Sequence, residues 1–389
     1  PKSSVNAKNG IYAHINKNTL RFVREQKAIS FDYVTRITKF KEDKLALWES
    51  NDSGKFPTIN QAKTIAKCYR IPFAGLYMNA QGICFIPVIL IFPFIWGLNG
   101  ILYAQPIADV LSARELLLES KKALKETVVQ FNMSINCPDD NVAQWAGEIR
   151  RTLGIDSNVQ YKCRSARQLY LYIRNLAEAA GAFVHCFTGV DTEIVRGFAI
   201  YEDLMPIIGL NNDDRYPAKT FSIIHELVHL IKRSSAVCND MTNSLSLQAE
   251  EVFCNAVAGA VLVPTVNLSR QLGEYTHDEI DLDVVSSLAD KFSISKEVIC
   301  RRLLDTGKIT QQRYSQLTTA IRLQFESERK AAQEYRKITG QVIPRNMSRE
   351  AIDQNSSALC RTFFHGYREG LFDKQDISRY LGVKQNHVD

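Results

Sequence analysis

The stretch Thr220–Lys232, TFSIIHELVHLIK, decides how the rest of the chain is read. Phe221, Ile223, Ile224, Leu227, Val228, Leu230 and Ile231 surround a helical cylinder nearly completely, so the spacing predicts a buried helix. His225, Glu226 and His229 go inside with it, which costs several kcal/mol unless they find partners. Residues four apart on an α-helix are rotated by only about 40°, so both imidazoles leave one face at a separation suited to one metal ion. Only seven histidines occur in 389 residues, so the HExxH grouping is improbable by chance.

HExxH supplies two ligands, His225 and His229, and a base, Glu226; a catalytic zinc site needs a third protein ligand and a place for water. Downstream, SLQAEEVFCNAVAGAVLVP (246–264) reads as a second helix, rich in small residues for close packing and stopped by Pro264. Glu250 and Glu251 point about 100° apart, so only one can face the metal. Glu251 shares its face with Asn255, Ala258 and Leu262, which combines a ligand with small packing residues, and we choose it. Upstream, VRGFAIYEDLMPIIGLNN (195–212) holds two short β-branched and apolar runs, expected to be strands of a small sheet beside the metal helix. Ser112–Gln130 and Ser165–Ala180 read as amphipathic helices. The expected fold class is therefore α+β, mainly α. Arg215, Tyr216 and His277 are candidates by residue type for oxyanion contact.

Charge is uneven along the chain. Residues 1–70 carry 14 Lys/Arg against 6 Asp/Glu, a balance of +8, which leaves −2 for the rest of a chain whose net charge is +6. A basic patch on a small helical domain attracts polyanions, nucleic acid above all. Residues 19–78 divide into four short amphipathic helices, with Leu20, Val23, Val34, Ile37, Leu45, Trp48, Ile59, Ile65 and Ala66 at core spacing. Ser30 and Thr58 are the expected N-caps.

From Ile71 to Ala108 no Asp, Glu, Lys, Arg or His occurs, and Ile83–Tyr103, ICFIPVILIFPFIWGLNGILY, is long enough to span a bilayer. Pro87, Pro93 and three helix-weakening residues argue against a span, so membrane contact is an alternative and not the favoured reading. Nine scattered cysteines without a CxxC pair, and no apolar run behind the first lysines, give a cytoplasmic expectation. After Pro264, 281–307 reads as two helices with Ser295 as an N-cap, followed by a long charged helix over 311–338.

Two resemblances then enter. LALWESNDSGKFPTINQAKTIAKCYRIPFAGLYM (45–78) resembles the Cro-like, or XRE-type, helix-turn-helix family, which implies a five-helix-type DNA-binding domain with the 41–49 helix in the major groove and Lys41 and Lys44 as the candidate DNA-binding residues; the turn TKFKED before that helix departs from the family in lacking its Gly. VRGFAIYEDLMPIIGLNN, HELVHL, EVFCNAVAGAVLVP and ADKFSISKEVICRRLLDTGKIT, with GYREGLFDKQDISRYLGVK at the end, resemble the ImmA/IrrE-like zinc metallopeptidases. That resemblance implies a zincin-like domain in which His225, His229 and Glu251 hold Zn2+ and Glu226 is the general base or acid. The expected layout is a helix-turn-helix over 1–78, an uncharged linker over 79–111, the peptidase over 112–270 and a helical C-terminal region with a helix-turn-helix-like part over 271–389. The expected function is a DNA-associated zinc endopeptidase that cleaves a regulatory protein, a transcriptional repressor, in a stress or mobile-element setting. Its expected partners are double-stranded DNA, the protein substrate and, by analogy with two-fold operators, a second copy as a homodimer. Rival readings are a zinc-binding regulator without turnover and a regulator that cuts its own 71–108 segment.

Overall fold

The computed structural model of the chain describes residues 12–13, 15–26, 29–50, 53–69, 76, 98–138, 141–233, 236–237, 245–273, 275, 279–339 and 346–385. The fold is α+β and mainly α. Two units, Pro1–Glu115 and Leu116–Asp389, each hold their own core.

In the first unit the helical periodicity becomes α1 (Lys17–Gln26), α2 (Phe31–Thr38), α3 (Glu42–Glu49) and α4 (Ile59–Tyr69). Ser30 caps α2 by accepting from the Tyr33 amide at 3.2 Å. Thr58 and Gln61 form a reciprocal cap at α4: the Thr58 amide donates to Gln61 Oε1 at 2.9 Å and the Gln61 amide to Thr58 Oγ1 at 3.4 Å. Leu20, Val23, Val34, Leu45, Trp48, Ile65 and Ala66 close the core, joined by Ala62 and Tyr69, while Ile59 lies at its margin. Ile37 departs from expectation and is exposed. Helix α2 has only two turns, and Val34 and Thr38 take its inward face, with Thr38 Oγ1 donating to the Val34 carbonyl at 2.7 Å. In the turn without Gly, Lys39 itself adopts the left-handed conformation at φ 62°, and its amide donates to the Thr35 carbonyl. That position costs a side-chain-bearing residue about 1–2 kcal/mol. Glu49 is buried, receives both Arg24 Nε contacts at 2.9 and 3.0 Å, and accepts from the Tyr69 hydroxyl at 3.2 Å. This one carboxylate ties α1, α3 and α4.

Helix α5 (Leu98–Ala123) corrects the expected Ser112–Gln130 span at both ends. It carries Pro106 inside, and it ends early because Lys125 enters the left-handed region at φ 56° while the Glu126 amide turns back to the Lys121 carbonyl at 2.8 Å. Residues 83–97 of the apolar segment lie outside the described residues. Among the described residues no single helix is long and apolar enough to cross a membrane. One bent pair, Gln248–Leu262 with Thr265–Leu272, passes by length and composition alone, and Val257, Ala258, Val261 and Leu268 on it are core residues.

The second unit runs α6 (Val142–Leu153), α7 (Ser157–Lys162), α8 (Ala166–Ala179), β1 (Phe183–Phe187), β2 (Gly197–Ile200), β3 (Ile207–Asn211), α9 (Tyr216–Ile231), β4 (Ala236–Val237), α10 (Leu245–Leu262), α11 (Thr265–Leu272), α12 (Leu282–Phe292), α13 (Lys296–Asp305), α14 (Gln311–Thr339), α15 (Met347–Gln354), α16 (Ser357–Arg368) and α17 (Lys374–Leu381). The sheet order is β1-β3-β2-β4. The two expected strands are β2 and β3, paired antiparallel, and β1 adds to β3 in parallel, Phe183 opposite Ile207. Helix α9 packs against α8, α10, β2 and β3. Ile223, Ile224, Leu227, Val228 and Leu230 are wholly buried there. At about 1.5–3 kcal/mol each, their burial outweighs the several kcal/mol of carrying His225, Glu226 and His229 inside. Ser295 caps α13 as expected, accepting from the Val298 amide at 3.2 Å.

The C-terminal helices are fastened to this core by polar groups. The buried Asp353 carboxylate accepts from Arg167 Nε at 2.8 Å and Nη2 at 2.6 Å, and from the Tyr216 hydroxyl at 2.5 Å; its carbonyl accepts from Tyr170 at 2.8 Å. Glu178 accepts the Ser357 and Ala358 amides at the start of α16. Helices α15 and α16 are thereby tied to α8 and to the first turn of α9.

Candidate metal centre

Helix α9 begins with Pro217 in its first turn and then stays buried from Ser222 to Ile231. Its 3.6-residue turn puts His225 and His229 on one face, with Nε2 atoms 3.2 Å apart. Helix α10 packs across them and delivers Glu251 between the two: Oε2 lies 3.2 Å from His225 Nε2, and Oε1 lies 3.2 Å from His229 Nε2. Tetrahedral ligands held about 2.0–2.1 Å from a zinc ion stand about 3.3 Å from one another, so the three atoms fit one small divalent cation. The two imidazoles are almost fully enclosed, whereas the Glu251 side chain is 31% exposed. Access to the centre is therefore from the Glu251 side.

The electrostatics agree with an ion position. Burial pulls the His229 imidazolium down, but hydrogen bonds to Cys254 and Glu251 outweigh it and push the pKa up to about 10. Burial pushes the Glu251 carboxyl up, but hydrogen bonds from His225 and His229 hold it at about 2. Without a metal the cluster thus stores a proton against a carboxylate, and a bound cation takes the place of that proton.

Glu226 lies one residue on from His225, buried against β2. A Cβ on Gly197 would stand 2.9 Å from Glu226 Oε1 and 3.2 Å from the Gly209 carbonyl oxygen. A side chain at 197 would require the Glu226 carboxylate to shift. The Phe198 ring lies over Gly209 in the same way, so two glycines on adjoining strands let the sheet approach both α9 and its own aromatic layer.

Glu250 and Glu251 both reach His229, at different nitrogens. Glu250 Oε1 is 3.5 Å from Nδ1, and Cys254 Sγ is 3.8 Å from the same atom. The structure thus brings together His225, His229 and Glu251, with Glu226 beside them, and sets Glu250 behind His229. Arg215 and Tyr216 are used elsewhere: the Arg215 guanidinium lies 4.1 Å from the Phe325 ring centre, and Tyr216 binds Asp353. Nine residues of helix, about 13 Å, separate Tyr216 from His225. His277 lies outside the described residues. Lys41 sits at the N-cap of α3 and Lys44 in its first turn; both are exposed, and Lys44 Nζ rests 5.0 Å from the Trp48 ring centre. Gly197, Cys254 and the placement of Glu250 escaped the sequence reading. A glycine inside a strand run was the available signal for the first, and the four-residue step from Glu250 to Cys254 for the other two.

Residues 181–304, from the turn before β1 into the last turn of α13, match the family model of the IrrE N-terminal-like domain of peptidase family M78, a metallopeptidase family. The match covers every residue of the centre and stops short of the N-terminal unit and the C-terminal helices. No curated protein matches the chain.

Proposed function

We propose, taking residues 181–304 as an IrrE N-terminal-like metallopeptidase domain, that this chain is a zinc-dependent endopeptidase whose substrate is a regulatory protein bound to DNA, a transcriptional repressor. One observation carries the reading: three lone-pair atoms from His225, His229 and Glu251 converge at 3.2 Å beside a buried Glu226. Zinc in that position supplies Lewis acidity for the scissile carbonyl and acidifies water. His225, His229 and Glu251 hold it. Glu226 takes the proton of the attacking water on its carboxylate and hands it to the leaving amine nitrogen, so a C–O bond forms, the C–N bond breaks and the glutamate is regenerated. The walls of β2 and β3 keep Glu226 away from bulk water, which favours proton transfer over leakage.

Targeting falls to the N-terminal unit. The +8 balance of residues 1–70 and the exposure of Lys41 and Lys44 on α3 support duplex DNA binding, with α3 as the groove-facing helix of an XRE-type domain. Holding the peptidase on DNA raises its effective concentration at a DNA-bound substrate.

Metal content by mass spectrometry, together with cleavage of a candidate repressor, tests the reading. Purified without added metal, wild type and Glu226→Gln should each carry one zinc, and His225→Ala and Glu251→Ala should carry little. Glu226→Gln should lose about 10²–10⁴-fold in turnover. A wild-type chain purified with no metal and unable to take up zinc sinks the proposal, and so does undiminished cleavage by Glu226→Gln.

A further inference from the structure

We propose that His229 serves a second metal position on its other nitrogen: Nδ1, a carboxylate oxygen of Glu250 and Sγ of Cys254 form a thiolate-containing site for zinc or a similar thiophilic cation. The inference rests on the metal centre proposed above, because the two positions share one imidazole.

The geometry is that of a ligand set. The three donor atoms lie within 4.8 Å of one another, and the two edges from Nδ1 measure 3.5 Å to Glu250 and 3.8 Å to Cys254. Tetrahedral zinc with bonds of about 2.0 Å to nitrogen or oxygen and about 2.3 Å to sulfur needs edges of about 3.3–3.6 Å, so small side-chain adjustments suffice. Glu250 and Cys254 are four apart on α10 and therefore project from one face, by the same rule that pairs His225 with His229 on α9. Cys254 is wholly buried, whereas the Glu250 side chain is 25% exposed and gives the cation a way in.

Charge explains why a buried location tolerates this. With one metal on Nε2, Nδ1 keeps its proton and directs it at Glu250 and Cys254, an outer-shell arrangement that fixes the ring. A second dication replaces two protons, one from Nδ1 and one from the thiol, both released to solvent. The charge of the site is unchanged, and a soft sulfur ligand is gained. Occupation of the second position ties up the imidazole that steadies the first metal. Occupation under metal excess is therefore inhibitory.

Cadmium titration of the full chain, followed by bound metal per chain and by the near-ultraviolet thiolate-to-cadmium absorption, tests the proposal. Wild type should bind two ions, with the thiolate band appearing on the second. His225→Ala should bind one ion and show the band at once; Cys254→Ser should bind one ion and show none. Glu250→Gln, a milder change, should keep the first ion and weaken the band-forming step at least tenfold. A wild-type chain that binds one ion without the band overturns this inference and leaves the first centre standing. A band that persists in Cys254→Ser also overturns it, since another cysteine then accounts for the sulfur. A chain that binds no ion at all removes both proposals.

Discussion

Glu49 in the N-terminal unit and Glu251 in the peptidase domain are both helix carboxylates packed against a core, yet they meet opposite kinds of neighbour. Glu49 faces protons: the Arg24 guanidinium and the Tyr69 hydroxyl donate to it, and a closed ion pair locks three helices. Glu251 faces two imidazole nitrogens at equal distance, atoms that carry lone pairs once the rings are neutral. A buried carboxylate surrounded by donors is part of the scaffold, whereas one surrounded by other electron-pair donors marks a place for a cation. The difference separates the two units by role without reference to any motif.

The most severe way to break the comparison is on the scaffold side. Glu49→Ala removes the carboxylate to which the half-buried Arg24 and the Tyr69 hydroxyl donate and should cost the N-terminal unit about 3 kcal/mol, read from denaturant unfolding of the full chain. Metal content should not change; a parallel loss of metal would mean that the two carboxylates are not independent. On the chemical side, Gly197→Ala should keep the metal and lower peptide turnover about 10²-fold by displacing Glu226, measured by metal analysis beside a cleavage assay. Unaltered turnover would show that the carboxylate does not need the space.

Smaller effects sharpen the picture at exposed positions. Lys44→Ala should weaken DNA binding across sequences and make the slope of log affinity against log salt less negative by about one, which a salt titration by fluorescence anisotropy reads. Glu126 offers a case of the scaffold type near the surface. Burial pushes its carboxyl up, but hydrogen bonds from His365, Thr362 and Lys121 hold it below the usual carboxylate range. Its stabilising contribution is therefore complete above the ordinary carboxylate pKa and is lost as pH falls through the lowered value. Glu126→Gln should cost about 1 kcal/mol at neutral pH, and the gap to wild type should close in acid; a gap that widened in acid would reverse the assignment.

Much of this was legible in the residues because it is local. The HExxH spacing fixes an angle on a helix, and the same angle lets only one of Glu250 and Glu251 face that pair; in the structure Glu251 lies 3.2 Å from both Nε2 atoms. Ser30, Thr58 and Ser295 announce helix starts because a short hydroxyl side chain reaches its own backbone two or three residues on. Helical periodicity gave most of the N-terminal core, but it misplaced Ile37, since two turns are too few to define a face. What stayed hidden depends on partners far along the chain. Asp353 meets Arg167, Tyr170 and Tyr216 across 137 to 186 residues, and no local period encodes such a meeting. Cys254 next to His229 Nδ1 is hidden for the same reason, because the crossing of α9 and α10 decides it.

Asp353 also has a consequence for the order in which the protein comes into being. A ribosome makes Arg167 and Tyr216 well before Asp353, so the first turn of α9 leaves the exit tunnel with its anchor still unsynthesised. The strands and helices that carry HELVH can assemble on the nascent chain, but the clasp at their N-terminal end closes only once Asp353, 137 residues beyond Tyr216, has been made.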